Sequence, residues 1–291
     1  MRTICFIVAV LALSANAGAQ VFSFTRGEMI HYTAKNPFDR FADGRPKVPD
    51  SLLEKVKRLS SEEIWGVLPG AGYNNQFEGG WQILHPGRKL VGRAVTVQYM
   101  PLRPDVGDVA DANATSKGQV KAPPQRVIDM LQPGDVVVVD LFGKITYGTF
   151  GGDNLHTVLY AVTKTGFVID GAIRDLDGVM EIGSQGYFRG ATPTTYRDVM
   201  LTGINIPIRV GNTTVMPGDV VFGDSEGVYF IPPEFVGPIL KQAEIIHIHD
   251  EWTKAKFRTG KYKASDLYPS PKDPALQKEF DEYLKKRLGQ Q

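Results

Sequence analysis

Between residues 148 and 175 the apolar positions change period. Leu155, Val158, Leu159 and Val162 recur at i, i+3, i+4 and i+7, one face of a helix. Phe167, Val168 and Ile169 then run without interruption, as in a buried strand that ends at Asp170-Gly171. Asp153 or Asn154 stands where an N-cap belongs, and Gly166 occupies the C′ position. The predicted order is strand, Gly151-Gly152-Asp153-Asn154, helix, strand. If the two strands pair in parallel, the start of the helix and the end of the second strand meet at one edge of the sheet.

Elsewhere the pattern alternates in the same way. Residues 49–68 read as two short helices, the first capped by Asp50 or Ser51 and the second by a Ser60/Glu63 capping box. The β-branched run 89–100 reads as a strand, QRVIDML as a short helix, and 73–81 as a loop. The phrase PGDVV occurs twice, at 133–137 and 217–221, and predicts two strands entered through the same Pro-Gly turn. Residues 207–218 predict a hairpin turning at Gly211-Asn212, and 220–232 a second strand pair turning through Asp224 to Gly227. A helix is expected from about Pro233, and a charged helix closes the chain after Pro274.

The first residues differ from all of this. Arg2 is followed by ten apolar residues, Ile4 to Leu13, and then by small residues with A-x-A patterns ending at Ala17 and Ala19. That layout predicts a signal peptide, residues 1–19, and a secreted or periplasmic protein; the run is too short to span a bilayer. Its loss would remove Cys5, the single cysteine, and so any disulfide or thiolate chemistry. It would leave 32 basic side chains against 32 acidic ones. Such a balance supplies no field for nucleic acid or for an anionic membrane. The remainder divides into an extension, 20–50, a main domain, 51–260, and a polar C-terminal arm, 261–291.

The candidate chemistry lies at the predicted sheet edge, where open α/β sheets bind ligands. N–H groups at Asn154, Leu155 and His156, beside Gly152, suit an anion, and the Arg174 guanidinium can fork onto the same anion. Asp153 and Asp175 are hard oxygen ligands for a divalent cation. An anion clamp beside a cation site fits a small carboxylate or keto acid. No phosphate-binding loop or dinucleotide fingerprint is present, since GTFGGDNL lacks the G-x-G-x-x-G frame. Asp224 and Glu226 read as turn residues, and His247 and His249 as packing or surface residues rather than a zinc pair.

The segment GGDNLHTVLYAVTKTGFVIDGAIRD, with Asp153 followed after twenty residues by Arg174-Asp175, resembles the RraA-like family. LVGRAVTV, PGDVVVVD, YFRGATP and VMPGDVVFGDSEGVYFIP follow in that family's order, and the resemblance runs from about Leu52 to Gly260. The family includes the 4-hydroxy-4-methyl-2-oxoglutarate (HMG) and 4-carboxy-4-hydroxy-2-oxoadipate aldolases and the regulator of ribonuclease E activity. The resemblance implies a compact α/β layered sandwich, similar to phosphohistidine swivelling domains, assembled as a homotrimer or hexamer. It implies a Mg²⁺- or Mn²⁺-dependent lyase that cleaves a 2-keto acid, by retro-aldol cleavage or oxaloacetate decarboxylation, to release pyruvate. Asp175 would then contact the metal, with Asp153 acting through water. Arg174 and the N–H groups of Asn154 and Leu155 would hold the pyruvyl group. A neighbouring subunit would bring an acid, for which Asp250 and Glu251 are the candidates and Glu251 is preferred. The alternatives are a non-catalytic regulator or binding protein, and a lyase or hydrolase acting on a sugar acid. The sequence departs from the family core in its leader and two extensions, and in Asp153-Asn154, where cytoplasmic members carry an acidic or aliphatic residue after the glycine.

Overall fold

The computed structural model describes residues 22–116 and 118–289. The expected leader and Cys5 lie outside them. Among the described residues no helix is long and apolar enough to cross a membrane.

Among the described residues the strands are β1 (Phe77–Glu78), β2 (Gln82–Ile83), β3 (Leu90–Pro101), β4 (Asp135–Thr149), β5 (Gly166–Ile173), β6 (Gln185–Ala191), β7 (Val199–Ile204), β8 (Ile208–Val210), β9 (Thr213–Val215), β10 (Val220–Gly223) and β11 (Val228–Ile231). The α-helices among these residues are α1 (Arg26–Tyr32), α2 (Asp50–Val56), α3 (Ser61–Trp65), α4 (Pro104–Ser116), α5 (Pro123–Ile128), α6 (Asp153–Thr163), α7 (Leu176–Glu181), α8 (Val236–Phe257), α9 (Ala264–Leu267) and α10 (Pro274–Leu288). The main sheet runs β1-β11-β10-β3-β4-β5-β6-β2, with β7 added to the far end of β3. Its centre, β3 to β6, is parallel, and the outer strands are antiparallel. The expected α/β class is what the chain adopts.

Side-chain alternation divides this sheet into two buried faces. Val137, Val139, Phe167 and Ile169 face one way and pack with Val127 and Ile128 of α5 and Leu159 of α6. On the same side, Phe222 and Ile231 pack against α2, α3 and α8. Val136, Val138 and Val168 face the other way and meet Ile208, Val210 and Val215 of the β8–β9 hairpin. The result is three layers: helices, the main sheet, and a small hairpin sheet.

The structure departs from the sequence expectations at several places. Pro49, not Asp50 or Ser51, is the N-cap of α2. The 73–81 loop contains β1 and leads into β2, two strands of two residues each that pair with β11 and β6. Helix α6 starts at Asp153 with Gly152 as its N-cap, and ends at Lys164 in the left-handed conformation, so Gly166 opens β5 instead of capping the helix. The strand pair after 220, the hairpin at Gly211-Asn212 and the Ser60/Glu63 capping box form as expected.

The two PGD turns are built alike. Gly134 and Gly218 take φ of 82° and 85°, the third position of a type II turn, which an L side chain tolerates poorly. Asp135 and Asp219 each accept, at 2.9 Å, the N–H of the residue three positions earlier, Gln132 and Met216. What differs is the charge partner. Arg45, from the segment ahead of α2, donates to both oxygens of Asp135 at 2.6 and 3.2 Å, and both residues are buried. The next residue, Pro46, packs on Gly218 of the second turn. Removing one member of a buried ion pair strands the other in a low-dielectric interior. Arg45→Met is therefore expected to cost about 3–5 kcal/mol. The double variant Arg45→Met/Asp135→Asn should recover part of that loss. Urea denaturation of the two variants beside wild type tests this; equal losses would show that the pair is not what stabilises the turn.

Candidate functional site

The site is positioned by the place where β4 leaves its ladder. Asp140 still pairs with Asp170, but the register then shifts twice, so Lys144 lies opposite Gly171 and Thr149 opposite Ala172. Residues 141–148 bulge outward, with Phe142 and Tyr147 at positive φ. The chain rejoins β5 at its end: Phe150 N–H donates to Ala172 O at 3.1 Å, and Arg174 N–H to Gly151 O at 3.2 Å. The Gly151-Gly152 turn is thereby laid against Arg174-Asp175. The parallel β4–α6–β5 unit brings the helix start and the strand end to the same edge, as the apolar pattern predicts.

At that edge Gly152 is in contact with Asp175. A Cβ on Gly152 would collide with the Asp175 carboxylate and come within 3.1 Å of Arg174 Nε. Asp175 itself is left-handed, with φ 56° and ψ 44°, a conformation uncommon for a residue with a side chain. Arg174 Nε lies 3.5 Å from Asp175 Oδ2, and both side chains remain roughly half open to solvent. The terminal nitrogens of Arg174 make no hydrogen bond among the described residues, which leaves the guanidinium fork open to a carboxylate. Asp153 opens α6, its Oδ2 against the backbone of α7 at Gly178. Two carboxylates and one guanidinium thus surround the start of α6.

The N–H groups are less free than the sequence implies. Asn154 N–H donates to Asp153 Oδ1 at 2.7 Å, and His156 N–H to Gly152 O at 3.0 Å. Leu155 follows with a half-buried side chain that packs on the core. Glu251 is engaged within its own chain. Its carboxylate accepts two bonds from Arg287, at 2.7 and 2.6 Å, and one from Tyr283 at 2.9 Å, which hold it below the usual carboxylate range. Asp250 pairs with Lys254 at 2.6 Å. His247 contacts Glu63, and His249 stands edge-on to Phe280 at 5.1 Å. Asp224 accepts from Ser61 and from Glu226 N–H, closing its turn.

Among the described residues no three His, Cys, Asp or Glu side chains gather as a metal cage. The donor set at the edge is Asp153 and Asp175, two hard oxygen ligands. That set fits Mg²⁺ or Mn²⁺, which is commonly held by one or two carboxylates and keeps several waters.

The sequence reading used the backbone N–H of His156 but passed over its side chain. It is fully buried one turn into α6, edge-on to Phe167 at 4.4 Å. Its Nδ1 is 2.9 Å from Gly152 O, which fixes Nδ1 as the protonated nitrogen. Its Nε2 has no partner. The ring therefore fastens the N-cap glycine to the core. Only its place three residues after Asp153, within the helix, could have signalled it.

Comparison with known proteins gives the family. Residues 64–230 match the family described as RraA-like, Aldolase/RraA, which is more than half of the chain. The chain belongs to the RraA-like family. It is 34% identical over 119 residues to a putative 4-hydroxy-4-methyl-2-oxoglutarate aldolase of Halalkalibacterium halodurans, covering 41% of this chain and 56% of that one. It is 26% identical over 214 residues to protein DlpA of Legionella pneumophila, covering 72% of this chain and 32% of that one. The chain thus spans about a third to a half of the length of these relatives. Among solved structures, Streptomyces coelicolor RraAS2, described as an unusual member of the RNase ES inhibitor RraA family, matches with a TM-score of 0.59 and 25% identity over 76% of this chain and 98% of that one.

Burial holds the His156 ring neutral, its pKa lowered to about 4. The unfolded chain takes up a proton near 6.5, so between about 6.5 and 4 the unfolded state binds more protons than the folded one. Stability is complete above about 6.5 and falls as the pH drops through this window, by an amount on the order of 3 kcal/mol. His156→Gln keeps a donor for Gly152 and removes the titration. Urea denaturation from pH 7 to 4 should show a shallower acid loss in the variant. Identical slopes would exclude His156 as the source.

Proposed function

We propose that this chain is a divalent-metal-dependent carbon–carbon lyase that releases pyruvate from a 2-keto acid, by HMG-type retro-aldol cleavage, oxaloacetate decarboxylation or both. The observation that carries the reading is the Arg174 fork set beside the Asp153 and Asp175 carboxylates at the glycine start of α6. Its likeness to relatives named as HMG aldolases supports the reaction class.

In this reading Arg174 binds the substrate carboxylate through two parallel N–H bonds, and Asp175, 3.5 Å from its Nε, holds the guanidinium in orientation. Asp175 and Asp153 would hold Mg²⁺ or Mn²⁺, and a cation bound there supplies Lewis-acid polarisation of a keto oxygen. Gly152, without a side chain, leaves the room that the Asp175 carboxylate occupies. Leu155 and the N–H groups of the first turn of α6 close the pyruvyl end. The Asn154 N–H is available only when the Asp153 carboxylate turns away from it, so ligand and metal binding at Asp153 would be coupled. No Schiff-base lysine is needed.

The proposal extends to export by leader 1–19 and to assembly as a homotrimer or hexamer. It also extends to an acid from the neighbouring copy, with Glu251 as candidate. Glu251 serves only if Arg287 and Tyr283 of its own chain yield it or move with it. A non-catalytic regulator or binding protein is the second reading, favoured by the likeness to RraAS2.

The deciding experiment is pyruvate release from oxaloacetate and from HMG, with Mg²⁺ or with EDTA. Wild type should turn over only with the metal. Asp175→Ala should lose on the order of 100-fold or more in kcat/KM, and Arg174→Lys should raise KM because an ammonium cannot fork. No release from either substrate at any metal concentration would sink the lyase reading in favour of the binding one.

A further inference from the structure

The two PGD turns provide an internal comparison. In the first, the aspartate that closes the turn also binds a guanidinium: Arg45 bridges both oxygens of Asp135 and lies over the Phe41 ring at 4.5 Å. In the second, Asp219 is as deeply buried, at 2% exposure, and makes the same bond to the backbone through Oδ2. Its Oδ1 has no hydrogen-bond partner, and no cation pairs with it among the described residues. Instead, Asp219 borders a cavity of about 480 Å³ between the end of α1, the loop before β1 and the Pro232-Pro233 turn after β11. This volume lies in the range of small-molecule sites.

The walls of this cavity repeat the surroundings of Arg45. Tyr32 and Tyr73 supply aromatic faces, and Pro233 an apolar one. Glu234 is a second carboxylate in the same cavity, with Tyr73 Oη donating to its Oε1 at 3.0 Å. Lys35, which lines the cavity, is largely exposed and pairs only with that same Oε1, at 3.6 Å. Burial, and Glu234 to a lesser degree, push the Asp219 carboxyl up to about 7 against the Met216 N–H bond that lowers it. A carboxylate pair beside aromatic faces suits an organic cation that forms several N–H bonds and stacks on a ring.

We propose that this cavity is a binding site for a small molecule carrying a terminal guanidinium or ammonium group on a short apolar body. The charged end takes the place at Asp219 that Arg45 takes at Asp135, with Glu234 as second acceptor. The body lies between Tyr73, Tyr32 and Pro233. The site shares no residue with the Arg174–Asp175 edge.

The test is calorimetric titration of the full chain with n-butylguanidinium and with n-butylurea, a neutral compound of nearly the same shape. The guanidinium should bind at least about tenfold more tightly than the urea. Asp219→Asn should weaken it about tenfold or more while keeping an acceptor for Met216 N–H, and circular dichroism should confirm the fold. Glu234→Gln, at a partly exposed position, should weaken it as well, and it decides the matter alone if Asp219→Asn does not fold. Equal binding of the two probes, no detectable binding of the guanidinium, or wild-type affinity in the folded variants would each overturn the proposal.

Discussion

Everything at the candidate site depends on the parallel pairing of β4 with β5, and on its interruption. A regular crossover would carry β4 straight into α6 and leave the helix start wherever the loop length put it. Here the ladder breaks after Asp140, runs through a bulge, and closes again at Thr149–Ala172. The closing bonds, Phe150 to Ala172 and Gly151 to Arg174, are backbone bonds at the edge of a buried sheet. Such bonds are costly to leave unmade. The position of Gly152 against Asp175 is thus set by main-chain geometry, and the side chains are fitted to it: a glycine because nothing larger clears the carboxylate, and a left-handed Asp175 because the chain must turn there into α7. The positive φ at Asp175 costs on the order of 1 kcal/mol or more, a cost tolerated where the surrounding backbone over-determines the conformation.

Charge is handled by the same logic deeper in the fold. The segment ahead of α2 lies outside the stretch that matches the family, yet it supplies Arg45 to the first PGD turn and Pro46 to the second. It therefore joins β4 and β10, which lie on either side of β3. An extension that only covered surface would not bury a guanidinium, because an unpaired buried cation costs several kcal/mol. The pairing with Asp135 explains why this arginine is inside.

Much of the fold was legible because it follows apolar period. β3, the parallel β4–α6–β5 unit, the two hairpins, α8 and α10 all carry either β-branched runs or clear turns, and each formed within a few residues of its expected place, except that β4 runs on past Asp140 to Thr149. The element that the pattern hid is α4. Only Gly107 and Ala114 are buried in it, so its sequence has almost no apolar face to display. β1 and β2 were hidden for another reason: their strand character comes from the β11 and β6 edges they join, not from their own residues. At the site, the spacing from Asp153 to Arg174-Asp175 survives translation into three dimensions because both ends are anchored to one βαβ unit. Contacts between segments far apart in sequence do not survive it. Nothing in the sequence couples Arg45 to Asp135, or Glu251 to Arg287.

The helix cap shows how this limit works. Asp153 looks like an N-cap residue, and in an isolated helix its carboxylate would bond forward to the first turn. In the folded chain it does bond the adjacent Asn154 N–H, but from the first helical position, because Gly152 has taken the cap. The shift by one residue follows from two tertiary constraints. Asp175 requires a glycine beside it, and His156, one turn on, needs the carbonyl of that same glycine for its buried Nδ1. A propensity worth about 1 kcal/mol cannot outweigh a buried hydrogen bond together with a steric clash. The displacement also frees Asp153 from a purely structural role. A true cap aspartate is committed to the helix, whereas one at the first helical position holds only its neighbour's N–H, a bond whose loss costs the fold little.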